Sequence, residues 1–319
     1  MAAHPLGPDT CSGRRMTLYR LLAPVIVVFL LGGAVWLPAQ VPSAGAKAPA
    51  PDPGASWPNP VKKALRDGKV VVATTITTAS SDVAASAAAL GFDFLWIEME
   101  HSPVTLESVR NMILATRGLK AVPFVRIPVN EPWMAKRAMD IGALGVIFPF
   151  TASPELARQA VASCKYPPAG IRGFAPGLAA SRWGMSSGEY VRWANENIVV
   201  VTIIEQKEAV ERIDAIAAVP GIDVLFIGAN DLSFSLGVGG QLNHPVVQEA
   251  IGKIVAAAKK RGIPLGYPSG NPADIKKLIA QGFQLFQASS DLGLMQAGAR
   301  QMLSGIREAA PDKMPATVY

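Results

Sequence analysis

The chain has 319 residues, half of them hydrophobic and 17% charged, with a formal net charge of +6. That is enough apolar material for a large core and enough length for one α/β barrel or two small domains. The positive residues are scattered among acidic ones, with no basic block and no basic–aromatic interleaving, so the surface reads as ordinary and nucleic acid is excluded as a partner.

The first segment is a leader in its pattern. Arg14, Arg15 and Arg20 precede an apolar run from Leu21 to Leu37, and Ala44-Gly45-Ala46 follows as a cleavage site. This is the order of a secretory signal, so residues 1–46 are expected to direct export to the periplasm or the medium, with Met16 as an alternative start. The competing reading is an uncleaved helix that anchors the protein to a membrane. The run is short for a span of about 20 residues, and Pro24 and Gly32-Gly33 interrupt it. Residues 47–60 are rich in Pro, Ala and Gly and read as a flexible linker. Of the two cysteines, Cys11 lies in the leader and Cys164 in the body, so no internal disulfide survives cleavage. Cys164 sits among apolar helix residues with no base nearby and reads as a buried, inert thiol.

Residues 61–309 alternate between short apolar runs and longer helical stretches, ahead of a tail over 310–319. Eight strands are predicted: Val70–Thr75, Phe92–Ile97, Val122–Arg126, Gly145–Phe148, Ile198–Ile204, Val224–Ile227, Pro264–Tyr267 and Gln284–Ala288. They are continuously apolar rather than alternating, as in parallel strands covered on both faces. Helices are predicted to start at Ser153-Pro154-Glu155, at Asn271-Pro272 and, more loosely, at Asn130-Glu131-Pro132, and His244 before Pro245 has the same look. Gly91, Gly142, Gly262 and Gly282 mark the returns to strand. The pattern predicts a (β/α)₈ TIM barrel. The alternative, a doubly wound open sheet, would favour a G-x-G-x-x-G turn after its first strand, and none is present. One connection, Lys165 to Ser187, is too long for the rhythm and is read as functional.

In such barrels the chemistry lies at the C-terminal ends of the strands. The second predicted strand runs into Glu98-Met99-Glu100-His101, the third ends at Arg126, the fifth meets Glu205 and the sixth runs into Gly228-Ala229-Asn230-Asp231. Ionisable groups after strongly apolar runs are costly without a purpose. Glu205 and Asp231 follow neighbouring strands and suit a hard cation such as Mg²⁺ or Mn²⁺, though each can also be read as a helix cap. Arg126 offers a planar fork for a carboxylate or enolate oxygen, or a structural bridge to Glu98 or Glu100. His101 is the natural general base.

These segments resemble a known family. Phe92 to His101, Val125-Arg126-Ile127-Pro128-Val129-Asn130-Glu131-Pro132, Tyr166-Pro167-Pro168-Ala169-Gly170-Ile171-Arg172-Gly173 and Phe226-Ile227-Gly228-Ala229-Asn230-Asp231-Leu232-Ser233 match, in order, motifs of the HpcH/HpaI aldolases. These are metal-dependent class II pyruvate aldolases with phosphoenolpyruvate/pyruvate-type barrels, related to citrate lyase β. The resemblance covers about residues 60 to 309. It implies His101 as base, Arg126 as the group that stabilises the transition state, Asp140 as the carboxylate that raises the basicity of His101, and Glu205 and Asp231 as the ligands of a divalent metal, Mg²⁺ or Mn²⁺ with Co²⁺ as a third option. It places Ile203, Asn230, Asp231 and Arg126 in the substrate pocket. The chain departs from the family where Glu98-Met99 replaces Asp-Gly, where Ile203 replaces a substrate-contacting Gln, and at Asn230.

The implied reaction cleaves a 4-hydroxy-2-keto acid to pyruvate and an aldehyde. A Schiff-base route is disfavoured because no lysine follows a predicted strand. An acyl-CoA lyase of the citrate lyase β type and an exported binding protein that kept the metal site are the alternatives. A homo-oligomer is expected by resemblance, with a membrane involved only through an uncleaved leader.

Overall fold

The computed structural model describes residues 57–304, and the leader and the C-terminal tail lie outside them. The strands are β1 (Val71–Ile76), β2 (Phe94–Glu98), β3 (Val122–Arg126), β4 (Gly145–Phe148), β5 (Val199–Ile204), β6 (Val224–Ile227), β7 (Leu265–Pro268) and β8 (Phe283–Ser290). All are parallel, each pairs with the next, and β8 returns to β1, so the barrel closes and leaves no sheet edge. The helices are α1 (Pro60–Arg66), α2 (Ser81–Ala89), α3 (Leu106–Ala115), α4 (Pro132–Asp140), α5 (Pro154–Cys164), α6 (Gly177–Arg182), α7 (Ser187–Asn197), α8 (Lys207–Glu211), α9 (Ile213–Ala217), α10 (Ala229–Ser235), α11 (Pro245–Arg261), α12 (Pro272–Ala280) and α13 (Asp291–Ser304). None of them is long and apolar enough to cross a membrane.

The predicted barrel is therefore correct, and three strands, β3, β4 and β6, have the predicted bounds. Their runs are fully or almost fully buried, as a strand covered on both sides must be. The barrel interior is filled by aromatic rings: Phe94 meets Phe124 at 4.7 Å between centroids and Trp96 meets Phe226 at 4.9 Å. Gly145 makes room for this packing, because a Cβ there would stand 2.6 Å from the Phe124 ring.

Helix starts follow the predicted chemistry. Ser153 accepts a bond from the Leu156 amide at 3.3 Å and Asn271 from Ala273 at 2.9 Å, and His244 caps α11 through Nδ1 from Val246. Glu131 caps α4 without a side-chain bond. Gly91, Gly142, Gly262 and Gly282 all have positive φ at the returns to strand.

The connection after α5 is the main correction. It joins the end of a helix to the start of β5, so it lies at the N-terminal end of the barrel, away from the strand ends where the polar residues gather. It also holds the short helix α6. Its Arg172 is fully buried: the guanidinium donates to Asp140 at 2.9 Å and lies over the Tyr166 and Tyr190 rings at 4.4 and 5.4 Å. Its Trp183 donates to the Gly142 carbonyl and packs edge-on against Trp57, which also meets Trp193. Asn59 caps α1 and donates to the Leu144 and Asn197 carbonyls, and Lys62 pairs with Asp223 at 3.0 Å. The long connection closes the floor of the barrel. At the other side of the circuit, α12 and α13 bury no residue.

Candidate active site

The C-terminal ends of β2, β3, β5 and β6 bring the polar residues together. Glu98, the last residue of β2, is 2% exposed, and its carboxylate turns back onto its own surroundings. Oε2 accepts from Arg126 Nε at 2.6 Å and from the Trp96 indole at 3.2 Å, while Oε1 accepts from the Glu100 and His101 amides at 2.6 and 3.1 Å. Four donors on one carboxylate neutralise a charge that burial alone would make costly. The Glu98 that replaces the family's aspartate therefore organises the turn carrying Glu100 and His101 and holds Arg126 in place. The two proposed meanings of Arg126 coexist: it is bridged to Glu98 and lies 3.0 Å from Glu100 through Nη1, yet it faces the strand ends at 14% exposure.

His101 is half exposed, and its Nε2 lies 3.5 Å from Glu100 Oε2. Within the chain, Glu100 is the carboxylate beside His101. Asp140 ends α4 at the floor of the barrel and is engaged by Arg172, so the chain does not bring it to His101. Glu100 is a candidate site residue that single-position reasoning passed over. Its signal was present in the sequence: a carboxylate directly before the histidine, on the turn leaving an apolar strand.

Glu205 follows β5 and is 3% exposed. Its Oε1 accepts from the Phe150 amide at 2.6 Å. A Cβ on Gly228 would come within 2.7 Å of Glu205 Cβ and 2.9 Å of Oε2, so glycine is required for β6 to pass the carboxylate. Burial, opposed by the Phe150 hydrogen bond and reinforced by the charges of Glu100 and Asp231, pushes Glu205 up to about 7. Glu100 is also pushed up to about 7, by burial against the pull of Arg126 and with the repulsion of Glu98 and Asp231. Asp231, in the first turn of α10, is exposed and faces both. Glu100 Oε2 is buried without hydrogen-bond geometry to any partner. Glu100 and Glu205, both raised by burial and by neighbouring carboxylate charge, gather with Asp231 as oxygen donors of the kind a hard divalent cation takes. Among the described residues, no group of three or more acidic, histidine or cysteine side chains is arranged to hold a metal ion by itself.

The other predicted pocket residues are placed as follows. Ile203 is buried, with its Cγ2 beside Gly228, and offers no hydrogen bond to a substrate. Asn230 is exposed, its carbonyl bonded to the Ser233 hydroxyl at 2.6 Å. Cys164 is buried and its thiol is pushed up to about 12, first by desolvation, as an inert thiol should be.

Fold and site together define a (β/α)₈-barrel enzyme with a histidine, an arginine and a carboxylate cluster at the strand ends. The sequence profile described as HpcH/HpaI aldolase/citrate lyase matches residues 76–297. The chain is 35% identical over 255 residues to 2-dehydro-3,6-dideoxy-6-sulfogluconate aldolase of Pseudomonas putida, covering 80% of this chain and 100% of that one. It is 36% identical over 248 residues to 5-keto-4-deoxy-D-glucarate aldolase of Salmonella arizonae, covering 78% and 96%. A crystal structure of an HpcH/HpaI aldolase/citrate lyase family protein from Burkholderia cenocepacia superposes with a TM-score of 0.72 at 32% identity, over 78% of this chain and 99% of that one. The chain belongs to the HpcH/HpaI aldolase/citrate lyase family, and it is a lyase of the aldolase kind.

Proposed function

We propose that the protein is a metal-dependent class II aldolase that cleaves a 4-hydroxy-2-keto acid to pyruvate and an aldehyde. The observation that supports this reading is the grouping of Glu100, Glu205 and Asp231, coupled by charge, with Glu100 beside His101 and Arg126. Glu205 and Asp231 would hold the cation, Mg²⁺ or Mn²⁺ with Co²⁺ as a third option. When bound, a divalent cation supplies polarisation of the keto carbonyl and charge balance for the pyruvate enolate.

The chain's own residues supply the rest. His101 takes the proton of the C4 hydroxyl as the C3–C4 bond breaks. The electron pair remains on C3 of the pyruvate fragment, the carbonyl of the aldehyde forms, and the proton returns to C3 to give the methyl group. Glu100, beside Nε2, orients the imidazole and stabilises its protonated form. Arg126, held by Glu98, presents its remaining N–H groups to the oxygen on which negative charge grows.

Two measurements test the reading. Pyruvate methyl protons should exchange with solvent in the presence of Mg²⁺ or Mn²⁺ and stop exchanging after chelation. Glu205→Ala and Asp231→Ala should each abolish metal binding by calorimetry together with that exchange. Exchange that persists unchanged in chelated protein would sink the metal assignment.

Two further proposals concern the setting. Residues 1–46 act as an export leader, which predicts a mature N-terminus near Lys47. The chain forms a homo-oligomer, supported by α12 and α13, which bury nothing while exposing Ile279, Leu292, Met295 and Met302. Light scattering that returned a single-chain mass would remove the second.

A further inference from the structure

Phe150 is the only non-glycine residue with positive φ among the described residues, at +50°. A side chain makes this left-handed backbone costly, and glycine adopts it freely. Four bonds around it hold the turn after β4. The Phe150 amide donates to Glu205 Oε1, its carbonyl accepts from Ala152, and Thr151 donates through its amide to Ile203 and through its hydroxyl to Phe148. All the bonds that Phe150 itself makes there use its backbone, so glycine would make them without strain. The ring is 45% exposed, so the core does not account for it either. Strain that persists at a site, for a side chain that neither the backbone nor the core requires, points to a role for the side chain.

The surroundings define that role. The amide that grips Glu205 is two covalent bonds from Cβ, so the side chain leaves the backbone next to the carboxylate at the barrel mouth. A second ring flanks the other proposed ligand. Phe234 lies one helical turn after Asp231, on the same side of α10, is 70% exposed, and rests against Gly239, where a Cβ would be 2.6 Å from the ring. Arg126 serves Glu98 and Glu100. Ile203 offers no polar atom.

We propose that Phe150 is a specificity-determining residue whose ring walls the aldehyde side of the site, so that the barrel selects aldehydes with aromatic or branched aliphatic substituents over carboxylated ones. This rests on the aldol reading above. The test measures kcat/KM for condensation of pyruvate with benzaldehyde and with succinic semialdehyde, in the metal-loaded wild type, in Phe150→Ala and in Phe150→Gly. The glycine variant keeps the backbone conformation if alanine disturbs it. The wild type should favour benzaldehyde. Both variants should lose roughly tenfold to a hundredfold with benzaldehyde, mostly through KM, as burial of a ring face predicts, and should change little with the carboxylated aldehyde. A wild-type preference for succinic semialdehyde, or an unchanged ratio in both variants, would overturn the proposal. Pyruvate proton exchange in the wild type is read first. If exchange occurs and the ratio fails, only the role of Phe150 falls; if exchange is absent, the aldol reading falls and takes this proposal with it.

Discussion

The two ends of the barrel use charge in opposite ways. At the floor, charged groups are matched: Arg172 has Asp140 and two tyrosine rings, and Lys62 has Asp223 and the Ile198 carbonyl. Among the described residues, only Arg172 Nε and Tyr166 Oη are buried there without a hydrogen bond. At the mouth, Glu100, Glu205 and Asp231 repel one another, and the first two are pushed up to about 7. A folded chain tolerates such repulsion where a ligand relieves it, and strongly perturbed carboxylates cluster at functional sites for that reason. The contrast is one of environment: the long connection packs its charged groups against partners, while the turns at the strand ends leave carboxylates facing one another.

The largest effect expected is at the mouth. His101→Ala should lower aldol turnover by roughly 10²–10⁴-fold, the usual worth of a general base, with little change in unfolding free energy because the ring is half exposed. Loss of folding without loss of turnover in the folded fraction would erase the distinction between the two ends. At the floor, Arg172→Ala leaves the Asp140 carboxylate without its partner and a cavity between two rings. About 3 kcal/mol or more of stability should be lost in denaturant titrations. Asp140→Asn should likewise be felt in stability, whereas Glu100→Gln should move the pH dependence of turnover.

Asp291 sharpens the comparison, because it is a carboxylate at the mouth that is satisfied. Burial opposes its ionisation, but hydrogen bonds from Thr77, Thr78 and the Leu292 amide outweigh it and lower its pKa. A carboxyl whose folded pKa is depressed contributes stability above its unfolded value, near 3.9, and loses it as the pH falls through the folded value. Asp291→Asn should therefore cost about 1–2 kcal/mol at neutral pH, and the difference from wild type should shrink below about pH 4 in thermal melts. An equal difference at all pH values would assign the loss to packing. The smallest effect is at a helix start: Ser153→Ala should remove about 1 kcal/mol through the lost cap on Leu156.

Much of this was legible in the sequence because the signals are local. Hydrophobic runs covered on both faces, caps at Ser153 and Asn271, and glycines at the returns to strand are decided within a few residues, and eight such units imply a closed barrel. The strand-end rule then picked out His101, Arg126, Glu205 and Asp231 as candidates, and the barrel places them at its C-terminal end. Where the strands differ from expectation, partners decide. β2 begins after Asp93 because that side chain accepts from the Val72 amide, and β8 extends through Ser289 and Ser290 because closure pairs them with Thr74 and Thr75.

What only the tertiary structure decided are the couplings between residues far apart in the chain. By itself the sequence determined the barrel, the face that carries chemistry and the residue types placed there. It did not determine that Glu100 rather than Asp140 stands beside His101, that Glu98 turns back to hold Arg126, that the Arg172 connection closes the floor, or that the Phe150 amide grips Glu205 across 55 positions. The physical reason is that helix and strand propensities are set by neighbours within a turn or a pleat, whereas the environment of a charge is set by whichever strands and loops the closed barrel brings alongside it.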